Sequence, residues 1–417
     1  MLKRTRSFLV LVMLLMTVTM SAQVTTATMS GKVTAQDEPI IGATIVAIHE
    51  PSGTRYGTVT NVSGQFNLQG MRTGGPYKVE ISYVGYQTAI YKGINLLLGE
   101  NYVLNVSLKE SSELLDEVVV TASKESNMKS DRAGAIMNAN RDMISNTPTI
   151  SRSISDIMRL SPQGADVGNG FAVGGGNYRQ SFVTVDGAAF NNTFGLGGNL
   201  PANGSPISLD ALEQVTVAVT PFDVRQSGFT GGAINAVTRS GDNQFRGTAY
   251  MYFNNENLKG SKVDDYELLR SKAQYYTYGA SFGGPIIKDK LFFFVNGEYE
   301  DNVTAGSSYR PRTALGESYS GGNVHRPLQS DMDDIRSFLL KKYDFDPGKY
   351  NGYSTDTPAY RIMARVDWNA NQDNKVSFRF TRTHTKDSNF PTSSTNPLYS
   401  SDLYPGGKSN EVIDGKP

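Results

Sequence analysis

From Phe245 to Thr381 the chain carries five segments in which apolar and polar side chains alternate residue by residue. In the first, Phe245, Gly247, Ala249, Met251 and Phe253 share one parity, and Arg246, Thr248, Tyr250 and Tyr252 share the other. Leu291, Phe293, Val295, Gly297 and Tyr299 oppose Phe292, Phe294, Asn296 and Glu298. Ile362, Ala364, Val366 and Trp368 oppose Arg361, Met363, Arg365 and Asp367, and Val376, Phe378 and Phe380 oppose Lys375, Ser377, Arg379 and Thr381. Tyr276, Tyr278, Ala280 and Phe282 form the weakest stripe. Successive side chains of a strand point to opposite faces, so each segment is expected as a strand with one apolar and one polar face. A one-residue slip would turn arginines onto the apolar face, at roughly 2–4 kcal/mol each if that face meets lipid. A soluble sandwich alternates too, so the connections must decide. They are long at Asn254–Lys272, short at Gly283–Lys290, very long from residue 300 to about 358, short at Asn369–Asn374, and open again from about 384. Long loops on one side and short turns on the other are the pattern of an outer-membrane sheet.

The first half differs. Met1–Ala22 reads as a secretory signal: Lys3, Arg4 and Arg6 precede the apolar run Phe8–Met20, and Ser21-Ala22-Gln23 offers a cleavage site. Residues 29–108 are expected as a β-sandwich, with strands at Met29–Thr34, Ala43–His49, Thr54–Thr60, Gln65–Leu68, Tyr77–Tyr83 and Tyr102–Leu108. Turn formers separate them at Asp37–Pro39, Pro51–Gly53, Asn61–Gly64 and Thr73–Pro76. After the polar Lys109–Glu113 comes DEVVVTAS, residues Asp116–Ser123, an extended run because branching at Cβ suits a pleated strand. Flanked by polar linkers, it can close the sandwich as a last strand or add itself to a sheet edge of another protein. Residues 124–239 are mixed. A helix is expected over Ser151–Leu160 with Ser151 or Ser153 as its cap, stopped by Pro162. Strands are expected at Ser181–Val185, Val215–Val219 and Ala233–Thr238, with a tight Asp186-Gly187 turn and a close backbone approach at Gly231-Gly232.

Several chemistries are excluded. The formal charge is zero, and removal of Met1–Ala22 leaves −3, which argues against phosphate-driven nucleic-acid binding. No cysteine is present, so disulfides, thiolate sites and a lipidated cysteine are ruled out. His49, His325 and His384 lie far apart and open no zinc motif. The glycine-rich GNGFAVGGGNYRQ lacks the Gly-Lys-Ser/Thr ending of a phosphate loop. No catalytic residue, cofactor or metal site is expected.

GKVTAQDEPIIGATIVAI, TNVSGQFNL and ISYVGYQT resemble the carboxypeptidase-regulatory-like domain, a name that implies no peptidase activity. DEVVVTAS resembles a TonB box, and VTVDGAAFNN, ISLDALEQVTVAVTPFDVRQSGFTGGAINAVTRSG and SFGGPIIKDKLFFFVNGEYE resemble TonB-dependent receptors, particularly the Oar-like branch. The resemblance implies a plug inside a 22-stranded barrel. It also implies a box, here Asp116, Glu117, Val118, Val119, Val120, Thr121 and Ala122, on which a TonB-type energy-transducing protein pulls from the inner membrane.

The expected fold is mainly β: an N-terminal β-sandwich (23–108), a linker with the box (109–123), an α/β plug (124–239) and the first strands of a transmembrane β-barrel (240–417). Asp186, Gly187, Gly231 and Gly232 mark the plug turns. Five strands do not close a barrel of this class, so the chain is expected to be the N-terminal part of a longer receptor or a truncated product. The function expected is ligand uptake across the outer membrane, with the N-terminal domain periplasmic. Its partners are outer-membrane lipid, a TonB-type protein and an extracellular ligand of unknown class. The competing expectation is a secreted or surface-exposed β-rich adhesin, which has no use for the box, the plug or the loop asymmetry.

Overall fold

A computed structural model describes residues 25–110, 118–121, 136–149, 152–167, 170–191, 200–201, 205–219, 230–258, 260, 262–263, 266–267, 272–306, 310–318, 324–371 and 374–386. Asp116, Glu117, Ala122 and the signal segment lie outside the described residues.

The N-terminal domain is two sheets over one core. β1 (Ala27–Ala35) and β4 (Gln65–Met71) pair antiparallel in one sheet; β2 (Thr44–His49), β3 (Thr54–Val59), β5 (Gly74–Ser82) and β6 (Ala89–Leu96) belong to the other. Alternate residues, among them Met29, Val33, Ile45, Ala47, Phe66, Leu68, Tyr77, Val79 and Ile81, fill the space between them. Gly31 is required where it stands, because a Cβ there would lie 1.9 Å from the Leu104 carbonyl oxygen. The expected strand Tyr102–Leu108 is two short pieces, Asn101–Val103 and Val106–Ser107, each parallel to β1. The Asn105 side chain accepts from the Lys32 amide at 3.0 Å and so takes the place of a ladder bond between the pieces. β6 was not among the expected strands. Gly93, at φ 79°, disrupts its sequence pattern. His49 is buried and hydrogen-bonded through Nδ1 to Ser52 Oγ at 2.7 Å. Burial, reinforced by the Arg72 guanidinium, lowers its pKa to about 3.

β7 (Val118–Thr121) is a short strand at the edge of the second sheet. Beyond it, β8 (Ile136–Asn140), β9 (Phe182–Val185), β10 (Leu212–Ala218) and β11 (Ala233–Thr238) form a mixed sheet in the order β8-β10-β11-β9-(Ala188–Ala189), with β9 parallel to β11. The helix α1 (Arg141–Asn146) follows β8 with Asn140 as its cap, and α2 (Ile154–Met158) packs nearby. α2 is shorter than expected and starts after Ser153, whose backbone N–H donates to the Asp156 carboxylate at 3.3 Å. Ile154, Ile157, Val183, Val185, Leu209, Val215, Val217, Ile234 and Ala236 form the core of this domain, joined by Phe294 and Met363.

The last sheet contains β12 (Arg246–Asn255), β13 (Gln274–Ile287), β14 (Leu291–Ala305), β15 (Ala359–Asn369) and β16 (Lys375–Thr385), each hydrogen-bonded to the next in chain order. Its faces follow the alternation. Met251, Phe253, Val295, Tyr299, Ile362, Trp368, Phe378 and Phe380 are exposed, while Phe292, Phe294, Asn296, Glu298, Arg361 and Met363 are buried. The chain forms two compact units, Met1–Gly247 with Ser281–Asn296 and Met363–Thr381, and Thr248–Ala280 with Gly297–Ile362 and Arg382–Pro417. Within the second, Arg361 Nη1 lies 2.9 Å from both Glu298 Oε1 and Glu300 Oε2, and Tyr250 donates to Glu298 Oε2 at 2.5 Å. The long connection after β14 holds a helix the sequence reading did not anticipate, α3 (Gln329–Tyr343), whose Arg336 makes a two-bond pair with Asp346 at 2.9 Å. No described helix is long and apolar enough to cross a membrane, which says nothing of strands.

Candidate functional site

The residues singled out in the sequence fall in two places. Val118–Thr121 run parallel to β6, Val118 opposite Ala89 and Thr121 opposite Lys92, at the end of the order β7-β6-β5-β2-β3. Among the described residues the outer edge of β7 carries no further strand. Its backbone N–H and C=O groups on that side are the kind an added strand pairs with.

Asp186 and Gly187 form the two-residue turn between β9 and Ala188–Ala189, with φ of 44° and 83°. Both values are positive, as a primed hairpin turn requires, and Asp-Gly supplies them cheaply. The turn also places a carboxylate. Asp186 Oδ1 accepts from the Thr238 amide at 2.8 Å and Oδ2 accepts from Thr238 Oγ1 at 2.5 Å. Two arginines from the polar face of the last sheet converge on the same group: Arg365 Nη1 lies 3.8 Å from Oδ1, and Arg379 Nη1 pairs with Oδ2. Arg365 is held from behind, donating to the Thr238 carbonyl at 2.8 Å and to Asp367 at 2.9 Å. Gly231 and Gly232 sit at the start of β11. A Cβ on Gly232 would come within 2.5 Å of Val173 Cγ1, so the backbone passes tightly over Phe171–Val173.

The sequence reading did not single out Arg365, Arg379 or Gln214 as functional. The first two stand out in hindsight as charges on the polar stripes of β15 and β16. Gln214 is a buried amide in LEQVTVA of β10. Its Oε1 accepts from the Leu98 amide at 2.8 Å, and its Nε2 donates to the Leu96 carbonyl at 3.0 Å. Among the described residues, no three His, Cys, Asp or Glu side chains are grouped to hold a metal.

With this geometry in view, the comparisons are specific. The carboxypeptidase regulatory-like domain matches residues 28–109, and an outer membrane beta barrel domain matches residues 237–412. The TonB-dependent transporter Oar of Myxococcus xanthus is 28% identical over 254 residues, covering 59% of this chain and 22% of the relative. The TonB-dependent receptor SusC of Bacteroides thetaiotaomicron is 29% identical over 269 residues, covering 61% and 24%. The chain is homologous to these two TonB-dependent proteins. It spans less than a quarter of the length of these curated relatives. The siderophore receptor PirA from Acinetobacter baumannii aligns over 61% of the chain and 32% of its own, at 17% identity and a TM-score of 0.42. The chain's regions are a regulatory-like sandwich, the mixed sheet β8–β11, and strands of an outer membrane beta barrel domain whose sheet is not closed among the described residues. Its location is the outer membrane.

Proposed function

We propose that this chain is the energised, periplasm-facing part of a transporter that takes up an extracellular ligand. Asp116–Ala122 is the TonB box, residues 124–239 are the plug, and the connections after residues 253, 303 and 384 contribute to ligand capture. The boundaries 23–108, 109–123 and 240–417 for the sandwich, linker and barrel strands belong to the same proposal. The observation that carries it is the edge position of Val118–Thr121, whose outer side carries no strand among the described residues and is the kind a strand of the energising protein would pair with. Further support comes from the Asp186 turn. Phe294 and Met363 also join this small sheet to the membrane sheet, and the ion pairs at its hairpin are bonds that a pull can break.

The test is binding of the chain to the periplasmic domain of the TonB-type protein. An added strand gains affinity largely from backbone hydrogen bonds, so Val119→Ala changes binding by less than about threefold. Val119→Pro removes a donor and fixes φ, and lowers binding by at least about tenfold. Because β7 is an edge strand, the proline leaves thermal unfolding of the sandwich core nearly unchanged. Absence of binding by the unaltered chain, or equal binding by the proline variant, refutes the energised reading.

A further inference from the structure

The sandwich and the plug are joined by more than the chain that links them. Gln214, fully buried on plug strand β10, uses both ends of its amide on the sandwich backbone, at Leu96 and Leu98. Leu98 packs on Val237 of plug strand β11 in a small buried cluster of those two residues. Asn138 of β8 donates to Glu100 of the sandwich and accepts from Thr216 of β10, which extends the contact across the plug sheet. Two further bonds tie the sandwich to the segment just beyond the plug, before β12: Arg72 reaches the Gly241 carbonyl at 3.4 Å, and the Asn243 amide donates to the Pro51 carbonyl at 2.9 Å. A side-chain amide that satisfies a donor and an acceptor on another domain's backbone fixes position in both directions. Losing it strands two buried backbone groups.

These bonds lie on a continuous route from the box. β7 is hydrogen-bonded to β6, β6 ends at Leu96, and the Leu96–Leu98 backbone is held by Gln214 on β10. We propose that the sandwich is a latch on the plug, fastened by Gln214, and that a pull on the box loads this latch before it reaches β8 through the connecting chain. The inference rests on the box assignment proposed above only for the origin of the pull. The docked state itself stands on the contacts.

The absence of cysteine makes the latch testable by thiol labelling in intact outer membrane. Leu98→Cys, reporting from the sandwich, and Val237→Cys, reporting from the plug, are placed singly in the chain and compared with Val84→Cys, whose native side chain is 92% exposed. In resting cells both buried reporters label at least about tenfold more slowly than the Val84→Cys control. Adding Gln214→Leu, of similar size but unable to bond, raises both rates by about tenfold or more, the expected effect of losing two buried hydrogen bonds. In energised cells the unaltered background labels faster than after a protonophore. Reporters that label like the exposed control at rest, or rates unmoved by Gln214→Leu, overturn the latch. Rates independent of energisation in a chain that still binds the TonB-type domain also overturn it, because the sandwich then stays seated while the box is pulled. Loss of energy dependence together with loss of that binding counts against the box assignment instead, and the resting comparison still decides the docking.

Discussion

The sandwich and the membrane sheet use the same period-two pattern with opposite sense. In β1, β2 and β5 the apolar parity is buried and the polar parity faces out: Ile45 and Val79 are sealed, whereas Thr44 is exposed. In β14, β15 and β16 the apolar parity faces out, and Asn296, Glu298 and Arg361 are among the buried residues. Alternation therefore establishes that a segment is a strand with two unlike faces. Which face is the inside depends on the solvent, water for one region and lipid for the other.

The largest difference expected between the two is in autonomy. Residues 23–108, with a core of their own, give a soluble fragment that unfolds cooperatively on heating. Residues 240–417 give aggregate in the absence of detergent, because an exposed apolar face and unpaired sheet edges both need lipid or partner strands. A soluble, monodisperse 240–417 fragment would abolish the contrast. Next in size is Arg361→Met. It leaves Glu298 and Glu300 buried without their counter-ion, at about 3–5 kcal/mol, read as loss of assembled protein from the outer membrane. Adding Glu298→Gln recovers part of that loss.

The same substitution on two exposed valines sharpens the comparison further. Val295→Arg on β14 costs about 2–4 kcal/mol if it lies near the bilayer midplane, whereas Val59→Arg at the end of β3 stays within about 0.5 kcal/mol. Equal effects, measured as urea midpoints in lipid, would mean that Val295 does not face lipid. The effect of pH is the smallest over the single unit between pH 6.5 and 5.5, and it belongs to the sandwich alone. His49 titrates near 3 when folded, against about 6.5 unfolded, so its neutral form favours folding above pH 6.5. Below that pH the unfolded chain binds a proton that the folded one refuses, and stability falls by about 1.4 kcal/mol per pH unit until pH 3. Hydrogen exchange of β2 and β5 between pH 6.5 and 5.5 measures the slope, and His49→Asn flattens it.

How legible each region was in the sequence follows from the same physics. The parity of β13, β14 and β15 could be read because their polar stripes would be costly to turn toward lipid, and the structure keeps it, whereas in β12 both parities are largely exposed. The Asp186-Gly187 turn was readable because few residue pairs accept two positive φ values. β6 was not, since Gly93 breaks its pattern and pairing with β5 supplies what propensity does not. The helix α3 left signals that were passed over inside a long polar connection: Asp331 in its first turn, Lys341 and Lys342 in its last, and Asp344 in the left-handed region as its stop. Gln214 could not have been found at all. A glutamine in a buried strand has meaning only once the backbone it serves, some 116 residues away, is beside it.

The grip of Arg365 and Arg379 on Asp186 depends on how little water comes between them, the three side chains being only 15–18% exposed. Opposite charges about 4 Å apart attract by about 4 kcal/mol at the effective dielectric of a protein surface, but by only about 1 kcal/mol in bulk water. Any displacement large enough to admit water between them thus removes most of the attraction that resisted it. Such a fastening does not stretch like a spring. It holds nearly at full strength until it is wetted and then fails within a short travel, so a hairpin secured in this way has a threshold rather than a stiffness.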